Sequence, residues 1–197
     1  MIAVAFLHQK GGTGKSTLAL GCAAALAGGG ARVLVIDADY QGTSSDWGNR
    51  WAGRFGFEVR SQVQPIMERE VERFRATVDW LLIDGPPSLS EMTESIVRAC
   101  HRLVIPVRPA LPDVWALPWF AAILEKQRRA GHAPRATVVF NQHRGEPLEP
   151  LQAEVARHGL AVHPQPIPAD PAFPALFAGE PLPPHLSALL LGLLEAT

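Results

Sequence analysis

Hydrophobic residues fall along this chain in short blocks rather than in an alternating rhythm. Five apolar runs rich in β-branched residues, Ile2–Leu7, Arg32–Ile36, Trp80–Ile83, Leu103–Val107 and Thr137–Phe140, predict strands. Because they are apolar on both faces, they predict a mostly parallel sheet covered by helices on each side. Between them, helices are expected at Ser16–Leu26, Ile66–Ala76, Ser90–Cys100, Pro112–Ala130, Glu149–His158 and His185–Ala196. Gly28-Gly29-Gly30 stops the first of these, and Pro118 should kink the long fourth one. The proline-rich stretch Pro164–Pro174 reads as a loop with a short turn. The fold class is α/β, doubly wound, and 197 residues make one domain, 1–197, the economical expectation.

The carboxyl ends of the predicted strands carry the chemistry, and open α/β sheets bind ligands at that edge. They bear the loop from His8 to Ser16, Asp37 and Asp39, Asp84-Gly85-Pro86-Pro87, the segment Pro106–Pro109, and Asn141. Lys10-Gly11-Gly12-Thr13-Gly14-Lys15-Ser16-Thr17 follows a strand and opens a helix, which is the setting of a phosphate-binding loop. Its glycines let backbone N–H groups approach phosphate oxygens, and the helix N-terminus adds the positive end of its dipole. Lys15 is placed to neutralise β and γ phosphates and the Ser16 hydroxyl to bind magnesium. The first glycine of the common G-x-x-x-x-G-K-[ST] pattern is replaced by Gln9, and a second lysine stands at Lys10. The chain has fifteen arginines and three lysines, so two lysines in one loop stand out: a compact ammonium suits that space better than a guanidinium fork. Asn141 is a candidate for reading adenine through its amide, or a turn-forming residue.

These segments resemble the ParA/MinD family of P-loop ATPases with a deviant Walker A loop. The likeness rests on K-G-G-x-G-K-[ST]-T, on Asp37-Ala38-Asp39-Tyr40-Gln41-Gly42, and on Leu82-Ile83-Asp84-Gly85-Pro86-Pro87-Ser88-Leu89. Ile105-Pro106-Val107-Arg108-Pro109, Ile167-Pro168 and Ala178-Gly179-Glu180-Pro181 also resemble family segments near the nucleotide. The resemblance is greatest to short, ParF-like members without an N-terminal DNA-binding extension. It implies an ATPase using ATP and Mg2+, with Lys10, Lys15 and Asp39 as catalytic residues. Lys10 would reach a partner's phosphates across a homodimer formed with ATP, and Asp39 would orient the attacking water. Nucleotide would contact Lys10, Gly11, Gly12, Thr13, Gly14, Lys15, Ser16, Thr17, Asn141 and Pro168, and metal would involve Ser16, Asp37 and Asp84. Asp37 and Asp39 also fit a simpler role as helix-capping carboxylates.

A formal charge of −1 excludes a globally basic nucleic-acid coat but permits a local patch. Lys126, Arg128, Arg129, His132 and Arg135, with His143, Arg144 and Arg157 as a second group, are candidates; Arg128, Arg129, Arg135 and Arg144 are taken as the DNA contacts. The family resemblance implies nonspecific DNA and a ParB-like or analogous cargo adaptor as partners, and a cytoplasmic, nucleoid-associated location. Cys22 and Cys100 are isolated, which argues against a zinc or iron–sulfur centre. Trp47, Trp51, Trp115 and Trp119 stand at i, i+4 spacing, where core packing is the economical reading and an interface the alternative. The Leu186–Leu194 stretch lacks the cationic face of a membrane-seeking helix, so docking onto the domain is expected and stable membrane association is not. A MinD-like membrane or division-site regulator and a metabolic ligase of the same fold are the alternative functions.

Overall fold

The computed structural model describes residues 1–196 and contains seven strands in one parallel sheet, ordered β3-β2-β4-β1-β5-β6-β7. The central strands are β1 (Ile2–Phe6), β2 (Val33–Asp37), β4 (Trp80–Asp84), β5 (Arg102–Val107) and β6 (Arg135–Phe140), which are the five apolar runs. Asp37 of β2 lies in register with Asp84 of β4, and Phe6 of β1 is in register with the same Asp84. Thus the first loop and both carboxylates leave the sheet side by side.

Successive side chains of each strand enter different layers. Ala3, Ala5, Leu34, Ile36, Leu81 and Ile83 pack under α4 (Met67–Phe74), α5 (Glu91–Ala99), α7 (Leu117–Arg129) and α8 (Glu149–Arg157). Val4, Phe6, Val33, Val35 and Leu82 face α1 (Lys15–Gly28), α9 (Ala172–Phe177) and α10 (Pro184–Ala196). Burying both faces is what made these strands uniformly apolar.

The strands that no apolar run announced are the two edges. β3 (Glu58–Ser61) is largely exposed, and β7 (Ala161–Val162) is two residues long. Charged and short edges block further strand addition, and that same composition hides them from a hydrophobic reading. Helix α2 (Thr43–Trp47) continues through a π-helical turn (Gly48–Ala52) into α3 (Gly53–Phe55), a segment whose serines and glycines carry weak helix propensity. Gly48 is needed there, because a Cβ would lie 2.5 Å from the Val59 Cβ of β3.

Pro118 does more than kink the expected Pro112–Ala130 helix. It divides it into α6 (Leu111–Val114) and α7, and sits in the first turn of α7. A proline ring clashes with the carbonyl four residues earlier, here Val114, but is well accommodated at a helix start. The expected loop Pro164–Pro174 contains the start of α9 and a parallel bridge between Pro168 and His143. The C-terminal α10 docks on α1, with Leu186, Leu190, Leu193 and Leu194 buried.

Candidate nucleotide site

Strand β1 delivers the glycine loop directly to the N-terminus of α1. Gly12 and Gly14 adopt φ values of 73° and 94°, in the left-handed region. Gly14 is constrained twice, since a Cβ there would come within 2.1 Å of the Asn141 Nδ2 atom. That amide donates 2.8 Å to the Thr13 carbonyl, and the Gln142 amide donates 2.9 Å to the Gly12 carbonyl. The end of β6 therefore clamps the loop from one side.

Lys15 is buried, and its ammonium donates 3.1 Å to the Lys10 carbonyl at the opposite rim of the loop. Burial lowers its pKa, while Asp84 and Asp39 push it back up. Asp84 is itself buried, and its Oδ2 accepts a 2.7 Å bond from the Ser44 hydroxyl. Desolvation raises Asp84 to about 6, against the pull of the Ser16 and Ser44 hydroxyls. Its Oδ1 is buried with no hydrogen-bond partner. An orphaned carboxylate oxygen beside Ser16 is a donor set suited to magnesium or to a magnesium-bound water, so the residues present fit that ion.

Asp37 has a different task in this state. Its Oδ1 accepts from the Asp39 N–H at 3.1 Å and its Oδ2 from the Ser45 N–H in the first turn of α2 at 2.7 Å. It is the carboxylate that folds the Asp39–Ser45 loop and holds the first turn of α2. Asp39 accepts from the Gln41 N–H at 3.0 Å and stands half-buried at the loop's outer side.

Lys10 lies on its own chain. Its ammonium donates to the Pro112 carbonyl and, at 2.9 Å, to Asp113 Oδ1. Asp113 is buried and also accepts two bonds from Arg108, at 2.6 and 3.1 Å. Burial opposes its ionisation, but the Arg108 and Lys10 hydrogen bonds leave its pKa below the usual carboxylate range. The same side of the loop is fixed by Gln9 donating 3.1 Å to the Ala116 carbonyl and by His8 stacked on Phe120. His8 is fully buried, and desolvation, reinforced by Lys15, lowers its pKa to about 4.

A cavity of 390 Å³ opens next to the glycine loop, between the end of β6 and the segment leading into α9. Asn141 and Pro168 both line it, brought together by the His143 N–H donating 3.0 Å to the Ile167 carbonyl and the Ala169 N–H donating 2.8 Å to the His143 carbonyl. Gln142, Asp170 and Phe173 line it as well and were not foreseen. So does Arg144, assigned to DNA from the sequence; it sits past the carboxyl end of β6, whereas Arg135 begins that strand. Six residues of strand separate the two ends by roughly 20 Å, so Arg144 cannot join Arg128, Arg129 and Arg135 in one patch. Arg128 and Arg129 share Glu125, and Lys126 pairs with Glu94, which halves the expected charge of that patch.

The protein-family profile described as CobQ/CobB/MinD/ParA nucleotide binding domain matches residues 4–182, nearly the whole of the chain just described. The chain belongs to this family. Among individual relatives, it is 39% identical over 131 residues to the maintenance of carboxysome distribution protein A of Gloeobacter kilaueensis, covering 64% of this chain and 56% of that protein. It is 30% identical over 166 residues to the protein of the same name from Halothiobacillus neapolitanus, covering 81% and 76%. Among solved structures, apo McdA of Cyanothece superposes with a TM-score of 0.81 at 18% identity, covering 100% of this chain and 99% of that one. A plasmid partition protein of Borrelia burgdorferi bound to AMPPNP gives 0.78 at 15% identity, covering 98% and 97%. At these identities the superpositions establish a shared fold. Family membership agrees with the resemblance seen in the glycine loop and the two aspartate segments.

Proposed function

We propose that this protein is a Mg-ATP-dependent positioning ATPase that closes into a dimer around nucleotide and opens again on hydrolysis. The observation that carries the reading is the juxtaposition of Lys15, Ser16 and the unpartnered Asp84 Oδ1 at the mouth of a left-handed glycine loop. In this reading the loop's N–H groups and Lys15 hold the phosphates, and Asn141 and Pro168 border the base. Magnesium, when bound, would supply charge neutralisation at the phosphates. Ser16 and Asp84 would hold that ion. Asp39 orients the attacking water, and Lys10 leaves Asp113 to reach the neighbouring subunit's phosphates. Each contribution is positional or electrostatic, as phosphoryl transfer requires.

The cargo in this reading is a protein assembly, supported by two relatives named for maintaining carboxysome distribution. A small adaptor on that cargo stimulates hydrolysis, and the dimer travels on DNA bound without sequence preference through Arg128, Arg129 and Arg135. The docked, cation-free α10 weighs against the membrane-regulator alternative. The deciding experiment is an electrophoretic shift of random-sequence DNA with ATP, ADP and no nucleotide. Retardation confined to ATP is expected; retardation indifferent to nucleotide, or none at any protein concentration, rejects the DNA-travelling dimer.

A further inference from the structure

Four tryptophans at i, i+4 spacing behave differently in the fold. Trp47 is buried and donates its indole N–H 2.8 Å to the Leu176 carbonyl, as core packing requires, and Trp51 is half-buried against Gly179. Trp115 and Trp119 instead stand 62% and 65% exposed at the α6–α7 junction. Among the described residues, the large hydrophobic side chains most open to solvent are these two, Leu111, Leu89 and Tyr40, the last 85% exposed.

Their placement is not random. Tyr40 follows β2, Leu89 follows β4, and Leu111, Trp115 and Trp119 follow β5, so all five leave the carboxyl edge of the sheet. In the strand order β2-β4-β1-β5, the glycine loop after β1 is flanked by Leu89 on one side and by Leu111 and Trp115 on the other. Lys10 and Gln9 touch α6 and its boundary directly, through Pro112, Asp113 and Ala116. Exposed apolar side chains therefore flank the nucleotide loop on both sides, an apolar rim that scattered single hydrophobics do not account for.

The chemistry of the rim selects its occupant. From Pro109 to Leu124 the only charged residue is Asp113, and that carboxylate is buried and paired with both Lys10 and Arg108. The cations that reach this segment, Lys10 and Arg108, are both bonded to Asp113, whereas DNA or an anionic bilayer calls for cations left free beside the rings. Depletion of charge with enrichment in aromatics is the composition of a protein interface centre. An apolar patch is also self-complementary, which a two-fold contact between identical chains requires. Three rings and two leucines offer roughly 500 Å² per copy, the larger part of the ~800 Å² per partner of a stable interface.

We propose that Trp115 and Trp119 are the apolar anchors by which a second copy of this chain seats over the phosphate loop. This rests on the Mg-ATP dimer reading above and assigns to it a specific interface. The double substitution Trp115→Ser and Trp119→Ser removes ring surface that is mostly exposed and outside the nucleotide loop, so the nucleotide affinity of the single chain is expected to stay unchanged. Mass by light scattering should be measured against protein concentration in Mg and a slowly hydrolysed ATP analogue. The wild type is expected to double in mass, while the double variant needs at least about 100-fold more protein to do so. Tyrosine at both positions, which keeps ring area, should restore most of the association. In the wild type, acrylamide quenching of tryptophan emission should fall when the analogue is added. An unchanged dimerisation constant in the serine variant, or quenching indifferent to the analogue, overturns the proposal. A wild type that binds a fluorescent ADP analogue but never doubles in mass overturns it while leaving the nucleotide site intact. A wild type that binds no nucleotide at all removes the ATPase reading beneath it.

Discussion

His8 and Asp84 are both buried near the Lys15 ammonium, and burial drives each toward its neutral form. For Asp84, whose pKa rises from 3.8 to about 6, the folded chain holds the proton more tightly than the unfolded chain. Its stabilising contribution is thus complete below pH 4 and lost as pH rises through 6. His8 falls from 6.5 to about 4, so its contribution is complete above pH 6.5 and lost as pH falls through 4. Each is worth about 3 kcal/mol, and they nearly cancel over the shared window. Single variants should expose the two slopes. With His8→Asn, the nucleotide-free protein should gain stability on acidification from pH 6.5 to 4.5; with Asp84→Asn, it should lose stability. Urea midpoints across that range measure both, and parallel slopes would mean that neither group is held in its neutral form. At neutral pH Asp84→Asn should also raise nucleotide-free stability while weakening magnesium-dependent binding, because the strained carboxylate is the one aimed at the ion.

At the level of elements, what the hydrophobic pattern revealed was whatever is buried on two faces. The five inner strands and the glycine loop were legible for that reason, as were Asp37, Asp39 and Asp84 at strand ends. The polar β3, the two-residue β7 and the glycine-interrupted α2–α3 segment were not, because their order comes from neighbours rather than from their own composition. Asp113 was equally hidden, although a lone carboxylate in sixteen otherwise uncharged residues is a signal that sequence inspection can use. The apolar C-terminal stretch shows the pattern working: α10 covers α1, and Leu190 is fully buried over Gly21, where a Cβ would meet the leucine Cδ1 at 2.8 Å. Leu190→Ala should cost about 2–5 kcal/mol of unfolding free energy by chemical denaturation, as a core leucine does. Co-sedimentation with anionic vesicles should be absent with or without ATP, and vesicle binding would mean that the helix leaves the domain.

Across the whole molecule, the two loop lysines are bound by different means, and this decides how assembly responds to mutation. Lys15 is sealed inside the loop and bonded to a backbone carbonyl, so Lys15→Ala should abolish nucleotide binding in calorimetry. Lys10 faces outward onto Asp113, so Lys10→Ala should keep the binding of ADP within a few-fold while eliminating the ATP-dependent doubling of mass. For Lys10 to serve a neighbouring subunit, it must first give up the Asp113 carboxylate and the Pro112 carbonyl. The Lys10 side chain is about one-third exposed while its partner is buried, so the contact is neither a solvated surface pair nor a fully dry one. Arg108 would keep Asp113 paired after Lys10 departs, which limits the cost of the exchange. Asp113→Asn removes the competing charge and should tighten ATP-dependent dimerisation by about 3- to 10-fold, read from the concentration dependence of mass. If Asp113→Asn weakens the dimer instead, the carboxylate acts within the closed assembly, and the contact with Lys10 is part of the interface rather than a restraint on reaching it.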